Sequence, residues 1–254
     1  MIRARLAQVQ LALMLLTRLP AGRLSDPAPA MAAAAWAFPL AGLTVGAGGA
    51  LVLWAAFALG LPVGLAAGLA IGAMVVLSGA LHEDGLADFA DGVWGGQTQA
   101  QRLEIMRDSR IGSYGVLALI LSVGLRWQAL AWLAAQDLAF ALMALVLLAM
   151  TSRVAPVVLM ATLPPARAEG LGHMAGGVAP GAVLMALALA VLPFAFVMAL
   201  PPLGVMLAIQ GLFLLGLARL ARQRLGGQTG DVLGAGQQVT ELVGFLALCA
   251  ALAV

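Results

Sequence analysis

The chain of 254 residues is poor in charge, in cysteine and in any basic residue other than arginine. Only 9% of its residues are charged, whereas a soluble domain has about a quarter. All 13 basic residues are arginines. The single cysteine, Cys249, excludes a disulfide within the chain and a zinc site built on several thiolates. A net charge of +2 with no basic, aromatic-rich surface gives no indication of nucleic-acid binding.

Long apolar runs make up most of the sequence. It is 63% hydrophobic, with a mean hydropathy of +1.05. Such runs predict membrane spans, and a span must pair its backbone polar groups internally. We therefore expect an all-α, polytopic integral membrane helix bundle that forms a single domain over residues 1–254. About seven transmembrane helices are predicted, within a range of six to eight, over residues 31–59, 62–81, 112–134, 138–162, 179–199, 202–219 and 238–254.

The distribution of arginine predicts the orientation of these spans. An N-terminal helix that carries Arg3 and Arg5, and is interrupted by Gln8 and Gln10, is expected to lie in the membrane interface. With the N-terminus inside, the inner segments and adjoining helix ends hold twelve arginines, and the outer links hold only Arg126. The positive-inside rule then places all the polar motifs on the cytoplasmic side.

An acidic stretch lies at residues 81–96 of this otherwise uncharged chain. On a helix, Asp84, Asp88 and Asp91 follow the i, i+4, i+7 spacing and share one face. Three carboxylates on one face repel each other unless a cation lies among them. Oxygen ligands of this kind suit Mg²⁺ or Mn²⁺. A solvated helix face is the alternative, and it is disfavoured because no arginine is interleaved with the acids.

Basic residues that suit phosphate follow at residues 102–116. Arg107 and Arg110 flank Asp108, and the forked donors of arginine match phosphate oxygens. The alternative is that these arginines only set the topology of the adjacent spans. A metal-binding acidic helix beside such arginines would suit a substrate that contains a pyrophosphate.

A second polar segment occupies residues 226–241. Its glycines let backbone N–H groups close around an anion, which makes Thr229 and Gly230 candidate phosphate contacts. Asp231 and Glu241 add carboxylates in an apolar setting, where they are costly and therefore informative. His82, next to the acidic stretch, is a candidate general base.

These segments together resemble the cobalamin synthase family, also called adenosylcobinamide-GDP ribazoletransferase. They come in the order of the family and span nearly the whole chain. The sequence departs from the family pattern at Glu83, where an aliphatic residue is usual, and at Phe89, where a threonine is usual. The matching pieces are Thr17–Pro20, Leu81–Gly92, Ile105–Val116, Arg167–Gly172, Gly226–Asp231, Gly234–Ala235 and Glu241.

The resemblance implies assembly of the nucleotide loop of vitamin B12. A ribose hydroxyl of α-ribazole, or of its 5′-phosphate, attacks the phosphorus nearest the aminopropanol arm of adenosylcobinamide-GDP, and GMP leaves. Mg²⁺ is the expected cofactor, held by Asp84, Asp88 and Asp91, and Asp91, Asp231 or His82 accepts the hydroxyl proton. The expected location is the bacterial cytoplasmic (inner) membrane, with the lipid bilayer as partner and the oligomeric state, including a homo-oligomer, left open.

Two other functions also fit a charge-poor membrane chain with clustered acids. A CDP-alcohol phosphatidyltransferase uses aspartates, a metal and a nucleotide diphosphate donor, but its Asp-Gly-Ala-Arg arrangement is absent, because Leu86 follows Gly85. A cation transporter usually places such acids near the bilayer midplane in repeated halves, and no internal repeat is visible here. A purely structural scaffold gives no reason to concentrate carboxylates.

Overall fold

The computed structural model describes residues 2–24, 26–167, 177–196 and 198–252, and most of these residues are helical. A short 3-10 turn joins α2 to α3, and within these ranges the only extended pairing is a single bridge between Pro165 and Gln228. The all-α prediction is thereby confirmed. The helices are α1 (Ile2–Leu16), α2 (Met31–Ala34), α3 (Phe38–Ala58), α4 (Val63–Ser78), α5 (Leu81–Gly95), α6 (Gln99–Ile105), α7 (Ser113–Gln136), α8 (Leu138–Ser152), α9 (Val154–Thr162), α10 (Pro180–Ala195), α11 (Leu200–Leu225) and α12 (Gly230–Leu252).

Apolar helices of spanning length confirm the polytopic membrane architecture. Each of the seven predicted spans corresponds to a helical segment, but two of them differ from a simple crossing. Helices α4 and α5 are long and apolar enough to cross a membrane only when they are taken together, as one segment bent by 88°. Helix α10 is apolar but shorter than the helices that could cross a membrane alone. Among the described residues, five stretches are long enough alone: Met31–Ala58, Ser113–Gln136, Leu138–Thr162, Leu200–Leu225 and Gly230–Leu252.

The ends of the last two helices differ from the prediction. Helix α11 continues to Leu225 rather than ending at residue 219, and α12 begins at Gly230 rather than at residue 238. Thr229 explains the early start, because its Oγ1 accepts a hydrogen bond from the Val232 backbone N–H at 3.3 Å, as an N-cap does. Polar residues that were expected to form a loop are therefore helical.

Close contacts at glycines set the packing of the bundle. A Cβ added at Gly42 of α3 would overlap the Ala149 backbone of α8, so these helices approach as only a small residue allows. Helix α5 packs against α12 and α7. At the first of these contacts Gly85 faces Gly234, with a Cβ at either glycine 3.2 Å from the Cα of the other. Helices α5 and α12, which carry the two acidic motifs, therefore lie in direct contact.

The N-terminal helix α1 is present as predicted and packs beside Trp36. The Trp36 indole donates a hydrogen bond to the Gln8 side chain at 2.7 Å, and the Arg5 guanidinium lies 5.2 Å from the ring centre. Its placement in the membrane interface stays a prediction.

Candidate active site

The acidic helix α5 begins at a sharp break in the chain. Gly79 and Ala80 both adopt left-handed backbone conformations, with φ of 66° and 57°, which end α4 and redirect the chain. Asp84, Asp88 and Asp91 then follow along one face of α5, but their surroundings differ. Asp84 is exposed, Asp88 is half-buried and Asp91 is buried.

Asp91 is turned toward the start of α7. Its Oδ2 accepts a hydrogen bond from the Gly112 backbone N–H at 2.7 Å, and its Oδ1 accepts one from the Gly115 N–H at 2.9 Å. A Cβ at either glycine would overlap an Asp91 carboxylate oxygen. The glycines of the 111–115 turn are therefore required for this contact. Asp91 satisfies backbone donors at the N-terminus of α7 that the helix itself leaves unpaired.

The second polar segment reaches the acidic face through a short backbone pairing. The Gln228 N–H donates to Pro164 O at 2.8 Å, and the Ala166 N–H donates to Gln228 O at 2.9 Å. Gly227 is needed here, because a Cβ would overlap the Pro164 carbonyl oxygen. Asp231 follows in the first turn of α12, and its Oδ2 accepts a hydrogen bond from Thr229 Oγ1 at 3.2 Å.

Four carboxylates and two arginines form a mixed-charge site at this end of the bundle. The negative charges of Asp231, Asp84 and Asp91 act on Asp88, and Arg167 opposes them. Burial lowers the pKa of Arg167, while the charge of Asp231 raises it. Arg167 Nη2 donates to Leu103 O at 2.7 Å, and its buried Nε has no partner among the described residues. An arginine in this state is suited to receive an additional oxygen ligand.

The arginines predicted to bind phosphate are in different situations. Arg107 is exposed, and its charge acts on Arg167. Arg110 is bound to Asp108, with Nη2 2.6 Å from Oδ2 and Nε 3.0 Å from the same oxygen. That pair is exposed, and the hydrogen bonds from Arg110 hold the pKa of Asp108 below its usual value. Arg107 is therefore more available to a phosphate than Arg110.

Two predicted site residues, His82 and Glu241, are buried, and Glu241 belongs to a hydrogen-bonded network inside the bundle, whereas the Nε2 of His82 has no partner among the described residues. The exposed fraction is 3% for His82 and 1% for Glu241. Arg126 donates to Glu241 Oε1 through Nη1 and to Glu83 Oε1 through Nη2, both at 3.3 Å. Glu241 Oε2 also accepts hydrogen bonds from Ser152 and Gln237. Both carboxylate oxygens of Glu241 are thus bonded inside the protein, and its predicted contact with substrate stays a prediction.

This network includes residues that the sequence analysis misjudged. Arg126 was counted in an outer link, but it is 2% exposed within α7. Glu83 pairs with it and accepts a hydrogen bond from Gln238 at 3.0 Å. Arg153 lies within reach of the charges of Glu83 and Glu241, and its Nη1 donates to Ala149 O at 2.9 Å. The sequence did contain an indication of this network, because ionisable residues inside apolar helices are expected to have partners.

The prediction that Asp84, Asp88 and Asp91 hold a metal ion stays a prediction. Among the residues that the structure describes, no three histidine, cysteine or acidic side chains are grouped closely enough to hold a metal ion. Of the three predicted ligands, Asp91 already accepts hydrogen bonds from the two N–H groups at the start of α7. Asp84 and Asp88 remain as oxygen donors, a pair whose chemistry suits Mg²⁺, which commonly uses one or two carboxylates together with substrate phosphates and water.

Comparison with known proteins accounts for this combination of helices and motifs. Residues 8–249 match the family described as cobalamin-5-phosphate synthase. The chain belongs to that family. Relatives named adenosylcobinamide-GDP ribazoletransferase include one from Bradyrhizobium diazoefficiens, 48% identical over 95% of this chain and 93% of its own length. Others come from Mesorhizobium japonicum, 44% identical with coverage of 97% and 94%, and Azorhizobium caulinodans, 46% identical with coverage of 93% and 93%.

Membership of the cobalamin-5-phosphate synthase family confirms the resemblance stated from the motifs. It does not favour the phosphatidyltransferase or the cation transporter. No solved structure matches the chain. Of the matching Arg167–Gly172 motif, only Arg167 lies within the described residues.

Proposed function

We propose that this chain is an adenosylcobinamide-GDP ribazoletransferase, as its relatives are named, and acts in the assembly of the nucleotide loop of cobalamin. A ribose hydroxyl oxygen of α-ribazole, or of α-ribazole 5′-phosphate, forms a bond to the phosphorus nearest the aminopropanol arm of adenosylcobinamide-GDP. The bond from that phosphorus to GMP breaks, and GMP leaves with the electron pair. The products are adenosylcobalamin, or its 5′-phosphate, and GMP.

One observation of the structure carries this proposal. Asp88 on α5 and Asp231 on α12 are more than a hundred positions apart, yet each lies within range of the other's charge and of Arg167, because α5 packs against α12 at Gly85 and Gly234. Carboxylates and arginines gathered in this way suit a pyrophosphate substrate with a divalent cation. Neither charge type alone would do so, since bare acids repel the pyrophosphate and bare arginines do not bind a cation.

Each residue of the site has a proposed role. Asp84 and Asp88 would hold Mg²⁺, which when bound would neutralise charge on the pyrophosphate and on the departing GMP. Arg107 and Arg167 hold phosphate oxygens. Of the three candidate bases named from the sequence, we favour Asp231, because Asp91 already accepts two backbone N–H groups and His82 is buried within range of the positive charges of Arg153 and Arg126.

The proposed location is the bacterial inner membrane, with the active site on the cytoplasmic side. Arginines mark that side by the positive-inside rule. Arg107, Arg110 and Arg167 all lie at the end of the bundle that carries Asp84 and Asp88. A protease or cysteine-labelling assay on sealed vesicles would place the loop of Arg110 on one side of the membrane, and labelling from the periplasmic side would contradict this orientation.

Turnover by the purified chain tests the function itself. The full-length protein, in detergent with added lipid, is incubated with adenosylcobinamide-GDP and α-ribazole in the presence of Mg²⁺ or EDTA, and GMP and cobalamin are separated by chromatography. We expect both products in equal amounts with Mg²⁺ and neither with EDTA. Product formation that survives EDTA would contradict the magnesium site, and no product from folded protein would contradict the reaction.

A further inference from the structure

A groove that contains none of the proposed active-site residues lies between α9, α10 and α11. Its volume is about 500 Å³, a size typical of ligand pockets. Its walls are mostly aliphatic, as at Val158 and Leu207. Leu187 and Leu215 also line it, with exposed fractions of 39% and 56%, so the groove opens sideways on the flank of the bundle.

The two ends of this groove differ in charge. At the inner end, Gln210 donates to Thr151 Oγ1 at 3.2 Å and to Thr240 O at 3.0 Å, so its amide N–H groups are satisfied. At the other end lie the exposed Arg219 and Arg222, the latter about 18 Å further along α11 from Gln210. No acidic residue lines the groove, and neither arginine is ion-paired within the described part of the chain.

We propose that this groove binds one anionic phospholipid, with an acyl chain between the helices and the phosphate at Arg219 and Arg222. A groove that is apolar and opens on the lipid-facing flank is accessible from the bilayer without passage through water. Guanidinium groups match phosphate oxygens, and basic residues near the cytoplasmic surface attract anionic lipids. A zwitterionic phospholipid has the same acyl chains, but the ammonium group of its headgroup offsets the attraction of its phosphate to the two arginines.

The groove is joined to the candidate active site through the chain itself. Thr162 and Leu163, which line the groove, directly precede Pro164, whose carbonyl accepts the hydrogen bond from Gln228. On the other side, α11 ends at Leu225, three residues before Gln228. A lipid between α9 and α11 would therefore brace both segments that place Asp231 beside α5.

Lipid binding is measured without reference to catalysis, so its outcome is independent of the proposed function. The full chain in detergent is mixed with equal amounts of phosphatidylglycerol and phosphatidylcholine, and bound lipid is counted by native mass spectrometry. We expect one phosphatidylglycerol to be retained in preference to phosphatidylcholine. Arg219→Gln with Arg222→Gln should reduce that preference by about thirtyfold, the effect of losing two arginine–anion attractions. Arg224→Gln, an exposed residue outside the groove, is the charge control.

A second variant tests the acyl-chain part of the groove. Gly211 lines it, and a Cβ there meets nothing within 4 Å, so Gly211→Leu fills the groove without a clash at Cβ. Gly204→Leu is the matched control, because Gly204 lies on the same helix, is equally open and is outside the groove. We expect Gly211→Leu to lose at least about tenfold in lipid retention, equivalent to blocking most of the chain contact, and Gly204→Leu to retain lipid as the parent chain does.

Three results would overturn the proposal. Equal lipid retention by Gly211→Leu and Gly204→Leu would show that the lipid lies elsewhere. An unchanged preference for phosphatidylglycerol in the double arginine variant would remove the headgroup contact. Displacement of the lipid by inorganic phosphate alone, or by α-ribazole, would assign the positive end or the groove to a soluble ligand instead.

Discussion

Replacement of Asp91 by asparagine separates a positioning role from a purely catalytic one. The carboxylate accepts backbone N–H groups at 2.7 and 2.9 Å from Gly112 and Gly115. Asparagine keeps one acceptor oxygen and turns an NH₂ group toward the other N–H. The loss of one hydrogen bond to a charged acceptor costs about 1.5–3 kcal/mol, and a buried N–H left unpaired costs about 1–3 kcal/mol more. We expect the free energy of unfolding to fall by about 3 kcal/mol or more.

Thermal unfolding of the detergent-solubilised variants measures this effect. For a chain of this size about 3 kcal/mol corresponds to a decrease in Tm of roughly 6–12 °C. Asp84→Asn is the matched control: it lies on the same helix but is exposed, so its stability should change by no more than about 0.5 kcal/mol. Both variants should lose transferase activity, and only Asp91→Asn should lose stability. Equal Tm values for the two variants would refute the positioning role.

Further substitutions test the other contacts of the site. Arg126→Ala removes the cation between two buried carboxylates and should lower the free energy of unfolding by about 3–5 kcal/mol. The loss should be seen as a lower Tm or a poor yield of protein in the membrane, and a stability equal to that of the parent would contradict the buried ion pair. Gly85→Val should push α5 from α12, since a Cβ there lies 3.1 Å from Asp231 O, and reduce kcat with little change in expression; full activity would mean that this spacing is unimportant. Arg107→Gln should raise KM for adenosylcobinamide-GDP more than Arg110→Gln, because Arg110 is already paired; the reverse order of KM values would contradict that ranking.

The acidic helix shows how far spacing alone could predict the site. Three aspartates at i, i+4 and i+7 share a face of α5, as expected. The periodicity of a helix does not indicate how deeply each position is buried in the bundle. The extent of burial decides which role each aspartate can have. Asp84 faces solvent, whereas Asp91 lies against the turn that begins α7. The spacing of residues within α5 could not reveal that α7 packs against Asp91.

In the buried network the sequence analysis missed an interaction, because the partners of Glu83 and Arg126 could not be identified from the sequence. Glu83 lies off the aspartate face, and Arg126 looked like an isolated arginine near an outer link. In the structure each neutralises the other inside the bundle, and Glu241 completes the cluster. An unpaired charge in an apolar helix indicates that a partner exists, but it does not say which of the remaining charges it is.

The sequence by itself determined the class of the protein and the chemistry of its motifs. Apolar runs without charge must form helices in lipid, because no water is present to satisfy the backbone, and an ordered set of polar motifs identifies the family. Only the tertiary structure decided which distant residues meet, such as Asp91 with Gly115 and Glu83 with Arg126. Those contacts depend on how closely helices approach at particular glycines, a property of pairs of surfaces that no single helix carries.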